Sequence, residues 1–290
     1  MHALFTVDKP VFVSSNRYMN VIKRRYNVKK VGFSGTLDPF ASGCLIVATG
    51  QYTKLLPYLK KTPKTYRATL WLGATSPSLD IENVTSIQNV APIAQQTIEE
   101  ALAALRGTLT YLPPKFSAKK IDGKRAYDLA REGKTVALKP VTSTVYDIRL
   151  LHYTHPFVTF EATVSEGTYI RSLGQIAAQH LGVPATLSSL RRLKEGAFHV
   201  DANTPLNPFE HLTVPRNDYF GRSDYLEAGK PLDIAYFDKR NNGVYLVETD
   251  RFYSIIEITD GRVRYRLNRL EKPALRQADK NEASLGIIST

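Results

Sequence analysis

Gly35-Thr36-Leu37-Asp38-Pro39-Phe40-Ala41-Ser42-Gly43 runs directly into the apolar stretch Cys44-Leu45-Ile46-Val47-Ala48. The proline restricts the residue before it, pushing Asp38 out of the helical region towards extended geometry. Flanking glycines let the backbone turn sharply or approach a ligand closely. An acid held on such a loop can act as a nucleophile or as a general base. Asp-Pro is equally an ordinary turn dipeptide. Chemistry alone leaves both readings open, and the surrounding sequence has to weigh them.

Upstream, Leu4 to Val7 reads as a short strand ended by Asp8-Lys9-Pro10. Ser14, Ser15 and Asn16 are good N-cap residues ahead of Met19, Ile22 and Tyr26, which fall at helical spacing. Downstream, Tyr66, Ala68, Leu70 and Leu72 alternate with Arg67, Thr69 and Trp71, the period of a half-buried strand. Ile98 to Leu105 has helical periodicity and stops at Gly107. Between Tyr111 and Pro140 the pattern changes: Pro113-Pro114 opens a segment dense in Lys115, Lys119, Lys120, Lys124 and Arg125. Such an insertion in a compact domain is usually functional or mobile. Strand character resumes at Val141 to Leu150 and Pro156 to Val164, and Arg171 to Leu181 reads as a helix ended by Gly182. After a proline-bearing linker, Pro205 to Pro215, three short strands are expected at Gly243 to Glu248, Phe252 to Thr259 and Arg262 to Leu267. The tail beyond Pro273 is polar.

The 290 residues are 43% hydrophobic and 23% charged, globular proportions with enough apolar material for a core. A formal net charge of +12 favours a polyanionic partner. The apolar run at Cys44–Ala48 is far short of the ~20 residues a spanning helix needs, and the N-terminus lacks signal-peptide features. A single cysteine, Cys44, can form neither an internal disulfide nor a cysteine zinc site, and its apolar neighbours make it a buried structural thiol. A cytoplasmic protein is expected. The six histidines form no HExxH pattern, so no metal is expected. No phosphate-binding loop and no strand-associated G-x-G-x-x-G is present, which argues against ATP or a dinucleotide cofactor. Basic residues gather in four clusters: Lys23 to Lys30, Lys60 to Arg67, Lys115 to Arg125, and Arg191-Arg192 with Lys194. Each alone is a solvated face; the four together favour phosphate contact. Arg171 falls on the first turn of a helix, where a guanidinium can keep a carboxylate ionised, and Tyr66 is either core packing or a stacking wall.

In order along the chain, Asp8-Lys9-Pro10 with Ser14-Ser15-Asn16, Gly35-Thr36-Leu37-Asp38-Pro39, Lys64-Thr65-Tyr66-Arg67 with Asp80 shortly after, Pro113-Pro114 through Arg131, Gly167-Thr168-Tyr169-Ile170-Arg171 and Leu190-Arg191-Arg192-Leu193 resemble the motifs of the TruB family of bacterial tRNA pseudouridine synthases. The resemblance covers about Leu4 to Val200. A lone Leu-Asp-Pro is weak; the ordered set is strong. It implies an α/β (α+β) pseudouridine synthase fold: a mixed, mostly antiparallel sheet flanked by helices, with a small C-terminal all-β, PUA-like domain. The implied boundaries are a catalytic domain at 1–215 with a thumb-like RNA-gripping insertion at about 111–140, a small RNA-binding domain at 216–273, and a tail at 274–290.

The resemblance further implies that Asp38 is the nucleophile towards the uridine at position 55 in the tRNA T-loop, with uracil detaching, rotating and rejoining through carbon. Tyr66 would stack on the flipped base and remove the last proton, Arg171 would pair with Asp38, and Lys9, Tyr169 and Leu190 would shape the pocket. Phe33, Lys64, Arg67, Lys115, Lys119, Lys120, Lys124, Arg125, Arg191 and Arg192 would contact RNA. No cofactor is implied, because the reaction is an isomerisation, and no protein partner; the family default is a monomer. Phe33 stands where the family commonly has a histidine: a phenylalanine can wedge into a base stack but donates no hydrogen bond. Two alternatives come from other classes, a tRNA-folding chaperone of the same build and a guide-dependent synthase acting on another RNA. An intact Asp38, Tyr66 and Arg171 argues against the first, and the continuous thumb segment against the second.

Overall fold

The computed structural model describes residues 1–116, 138–200 and 204–273, together with the backbone of two short strands at 120–121 and 124–125. Lys119 and most of the expected thumb, including its possible helical turn, lie outside the described residues, as do the side chains of Lys120, Lys124 and Arg125 and the tail at 274–290. The strands in chain order are β1 (Leu4–Lys9), β2 (Val31–Phe33), β3 (Ser42–Thr49), β4 (Lys64–Leu72), β5 (Ala74–Thr75), β6 (Ser86–Ile87), β7 (Gly107–Tyr111), β8 (Lys120–Ile121), β9 (Lys124–Arg125), β10 (Val141–Thr154), β11 (Phe157–Val164), β12 (Ala185–Glu195), β13 (Phe198–His199), β14 (Gly243–Glu248), β15 (Phe252–Thr259) and β16 (Arg262–Glu271). The α-helices are α1 (Ser15–Arg25), α2 (Gln95–Ala103), α3 (Ile170–His180) and α4 (Ser223–Ala228).

Nine strands form one sheet in the order β1-β3-β12-β4-β11-β10-β7, with β2 and β13 joined at its side. All neighbours are antiparallel except β3 and β12, which run parallel. The sheet is therefore mixed and mostly antiparallel. Sequence patterning explains each element. On β4 the even-numbered residues from Lys64 to Leu72 are buried, as a period of two requires. On β3 seven successive residues after Ser42 are buried, which suits a continuous apolar run covered on both faces. Helix α1 starts at Ser14, whose hydroxyl accepts from the Arg17 N–H at 3.2 Å, and ends in Lys23, Arg24 and Arg25, where cations complement the helix dipole. Its Met19 and Ile22 pack on Phe5, Val7, Leu45 and Val47. The larger cluster joins Leu70 and Leu187 of the sheet to Ile98 and Leu102 of α2 and Leu173 and Ala177 of α3. Fully burying each such Leu or Ile contributes about 1.5–3 kcal/mol.

The chain divides into two compact units, one spanning 3–213 and a second from Val214 onward. Within the second, β14, β15 and β16 form an antiparallel three-stranded meander over a core of Phe237, Tyr245, Val247, Ile256 and Ile258. It also carries α4, a short helix the strand pattern did not announce, ended by Gly229 in the left-handed region (φ +71°). Among the described residues no helix is long and apolar enough to cross a membrane.

The parallel β3–β12 contact depends on one glycine. Gly43 has φ +104°, and a Cβ there would lie 2.2 Å from the Arg192 carbonyl oxygen. Gly43→Ala should therefore lower unfolding free energy by more than about 3 kcal/mol, combining strain with overpacking. Denaturant titration of the two proteins checks this.

Candidate active site

The loop before β3, the start of β4, the turn between β11 and α3, and the middle of β12 converge on a cavity of about 510 Å³. Its walls include Thr36, Leu37 and Asp38, Lys64 and Tyr66, Glu166 to Arg171, and Leu190 and Arg192. A space of this size suits a nucleoside-sized group.

Arg171 organises one side. It is buried (4% exposed) and makes two ion pairs, Nε to Asp38 Oδ2 at 3.0 Å and Nη1 to Asp80 Oδ2 at 3.1 Å. Nη1 also donates to the Ser78 carbonyl and Nη2 to the Phe116 carbonyl, both at 2.8 Å. Asp80 is fixed in turn by the Ser78 hydroxyl at 2.6 Å and the Glu82 N–H at 3.1 Å. Leu79 between them has φ +61°, a conformation costly for a bulky residue, which turns the Ser78 carbonyl and the Asp80 carboxylate towards the same guanidinium. Asp38 differs from Asp80 in exposure: its side chain is 34% accessible, that of Asp80 3%. Withdrawal of the Asp38 carboxyl from bulk water pushes its pKa upward; Arg171 pulls it down, Asp80 raises it and Lys9 lowers it, with a net rise.

Lys9 lies behind the loop, outside the cavity walls. Its buried ammonium donates to the carbonyls of Pro10 (2.8 Å), Val13 (2.6 Å) and Pro39 (3.3 Å). Burial lowers its pKa to about 8, against the raising effect of Asp38. On the other flank of Asp38, Ser15 donates to the Leu37 carbonyl at 3.1 Å and accepts the Leu37 N–H at 3.0 Å. The acid is therefore clamped on both sides, at Leu37 and at Pro39.

The opposite wall carries a buried charged group. Glu195 on β12 is wholly buried and lies 3.2 Å from both Lys64 and Arg192, while Ser34 donates to it at 2.8 Å. Arg192 also donates to the carbonyls of Cys44 (2.7 Å) and Gly35 (2.9 Å) and hydrogen-bonds Tyr66. Burial raises the Tyr66 pKa, and the neighbouring Arg192 opposes that rise. Gly35 permits this crowding: at φ +59°, a Cβ would sit 2.9 to 3.0 Å from Lys64, Arg192 and Glu195.

Several residues read as RNA contacts stand differently. Lys64 and Arg192 are buried (6% and 1% exposed), and their heads are occupied by Glu195 and backbone carbonyls, so neither is a surface cation. Phe33 is half-buried against the α1 cluster with Tyr26 and Val31. Arg67 is exposed and Arg191 half-buried, and both are paired, the first with Glu161 at 3.6 Å, the second through two bonds to Asp8 at 3.0 and 2.7 Å. Lys115 is exposed. Tyr169 and Leu190 line the cavity, and the Tyr169 N–H donates to the Tyr111 hydroxyl at 3.0 Å. Asp80 and Glu195 were not singled out as site residues from sequence. Only the family-like placement of Asp80 offered a signal, and Glu195 reads as a surface acid beside Arg191-Arg192.

The mixed sheet with an acid-bearing loop and a buried arginine at a strand-to-helix turn defines the pseudouridine synthase fold. Solved structures share it: a Cbf5-Nop10-Gar1 complex aligns with TM-score 0.64 and 21% identity over 93% of this chain and 84% of that one. An H/ACA RNP bound to a substrate RNA containing 2'-deoxyuridine gives 0.63 and 20% over 93% and 85%. At such identities these likenesses speak for the fold alone. The family model for TruB family pseudouridylate synthase (N terminal domain) matches residues 23–170. The tRNA pseudouridine synthase B of Sulfurovum sp. (strain NBC37-1) is 63% identical over 94% of this chain and 98% of its own length. That of a Nitratiruptor species is 51% identical over 94% and 99%. The chain belongs to the TruB family of pseudouridylate synthases.

Removing the arginine isolates the effect of its charge. Arg171→Met leaves Asp80 buried without its counter-ion and should destabilise the fold by roughly 3–5 kcal/mol at neutral pH. Urea midpoints of parent and variant at neutral pH test this.

Proposed function

We propose that this chain isomerises a uridine of tRNA to pseudouridine, that the target is uridine 55 in the T-loop, and that Asp38 is the nucleophile. The observation that carries this reading is a carboxylate clamped at both neighbours, paired with a buried arginine, and open to a nucleoside-sized cavity. The relatives named tRNA pseudouridine synthase B support tRNA as the substrate. A protein acting on tRNA would work in the cytoplasm; nothing in the reaction calls for a protein partner, and the chain is taken as a monomer.

In the proposed reaction the C1′–N1 bond of uridine breaks and a C1′–C5 bond forms. N1 gains a proton and C5 loses one, so atoms and charge balance with no cofactor. Asp38 attacks C1′ of the flipped nucleoside as a carboxylate, the C1′–N1 bond breaking as the Asp38–C1′ bond forms. The Asp38–C1′ bond breaks in turn as C5 rejoins C1′, and Arg171 holds the carboxylate in one orientation. Tyr66 stacks on the uracil, an interaction worth about 1–3 kcal/mol per base, and receives the C5 proton. To accept that proton Tyr66 reacts as its phenolate, the form that Arg192 at its oxygen favours against the burial that disfavours it. Lys9 positions the Asp38 loop from behind, and Tyr169 and Leu190 bound the space in which the base rotates. Taking the base out of the stack costs a few kcal/mol, which contacts from the basic surface would offset. Lys115, Arg67 and Arg191 are among the cations on the described surface that suit phosphates, with Lys119, Lys120, Lys124 and Arg125 contributing from the thumb. Phe33 would wedge against the loop bases. The unit from Val214 serves as a PUA-like RNA-binding module, a reading supported by Arg262, Arg264 and Arg266, exposed at alternate positions of β16.

Tritium release from tRNA labelled at uracil C5 tests the chemistry. Asp38→Asn should reduce release at least about 1,000-fold, as expected for loss of a nucleophile, and a cytidine at the target position should abolish it. Release unaffected by Asp38→Asn would exclude the mechanism. Because the Asp38 pKa is raised and the carboxylate is the reactive form, falling pH should protonate it early. The acid limb of kcat/KM should therefore lie above the ordinary carboxylate value of about 3.9; a limb at or below that value would count against Asp38.

A further inference from the structure

The turn between β1 and α1 carries a feature that the chemistry at Asp38 does not use. Phe12 has φ +60°, a left-handed conformation that disfavours any residue with a Cβ, and its side chain is 65% exposed. Val11 beside it is 46% exposed. In the free protein the residue is unfavourable twice over: the backbone favours glycine, and a large apolar ring stands in water. Bulky residues kept in strained conformations cluster at ligand-contacting sites.

The place of this turn narrows the ligand. Lys9 gathers the carbonyls of Pro10 and Val13, on either side of Phe12, together with that of Pro39, next to Asp38. Ser15, at the far end of the same turn, is bonded twice to Leu37, on the other side of Asp38. The turn and the acid loop are thus tied together at both ends, and the backbone that carries the exposed ring is held against the acid loop. We propose that Phe12 is a stacking platform for an unpaired nucleobase of the RNA substrate, next to the base that enters the cavity. Aromatic rings take bases without sequence preference because every base has a π-face. The surplus of 39 basic over 27 acidic residues favours RNA over an apolar protein partner. The proposal rests on the tRNA reading above and adds a second base contact to it.

Backbone geometry supplies an unusually clean variant. Phe12→Gly removes the ring and places at φ +60° the residue that this conformation suits, so its melting temperature should not drop below that of the parent by more than a few degrees. The dissociation constant for a T-arm stem-loop transcript, measured by filter binding, should rise by about tenfold in Phe12→Gly. Phe12→Trp, with a larger ring in the same conformation, should stay within about threefold of the parent. In turnover, the loss in Phe12→Gly should fall mainly on KM. Equal affinity of parent and Phe12→Gly overturns the proposal, as does a Phe12→Trp that binds as weakly as Phe12→Gly. A parent that self-associates where Phe12→Gly does not, with RNA affinity unchanged, assigns the ring to a second copy of the chain and also overturns it. Binding needs no chemistry, so a parent that releases no tritium yet shows the affinity contrast refutes the enzyme reading alone.

Discussion

One guanidinium sets the terms for the site. Arg171 is surrounded by protein, and a cation in that position is tolerated only if its charge and its donors are met. Here two carboxylates and two backbone carbonyls meet them. The two acids are not equivalent. Asp80 is locked by Ser78 and Glu82 and stays a fixed counter-ion, so the guanidinium keeps one carboxylate partner whatever the more accessible Asp38 does. Helix α3 presents the arginine, the Leu79 turn presents Asp80, and the clamped loop presents Asp38, so the positions of three segments follow from a single charge.

The second charged group, Lys64–Glu195–Arg192, solves a related problem on the opposite wall. Strands β12 and β4 would bury their ionic side chains at great cost if these were not mutually paired. Paired, they brace the loop at Gly35 and the ring of Tyr66. The cluster therefore contributes shape and electrostatic setting to the cavity rather than a surface for phosphates. That distinction matters for the protein's excess of positive charge: part of it is consumed inside, and the surface share resides in residues such as Lys115, Arg67 and the row on β16.

Much of this was legible in the sequence. The alternation of β4, the apolar run of β3, the N-cap at Ser14 and the three-stranded meander are all local patterns, and local patterns survive folding. The constrained loop around Asp38 was legible because proline and glycine restrict its neighbours within a few residues, whereas the role of the acid came only with the family resemblance. What could not be read is long-range. Lys64 and Arg192 looked like members of surface clusters, since nothing nearby in sequence announces that Glu195 will sit between them. Asp80 drew notice only for its place in the family pattern, because its partner lies 91 residues away. Phe33, read as a wedge for the loop bases, is half-buried against the cluster under α1, which its sequence neighbours do not announce. Burial is a property of the assembled sheet, and composition reports it poorly for amphipathic side chains such as Lys, Arg and Tyr.

The strand order carries a consequence for how the chain is made. β3 and β4 are successive long strands of the sheet, yet they do not pair; β12 lies between them. Until β12 is in place, the edges of β3 and β4 that it pairs have no strand between them. Such edges invite pairing with other chains. The slot fills only when residue 195 has emerged, more than a hundred residues after β4, and closing so long a loop is slow. Residues up to 184 thus hold seven of the sheet's nine strands but lack the one that joins β3 to β4, and exposed strand edges of that kind make incomplete chains prone to aggregate.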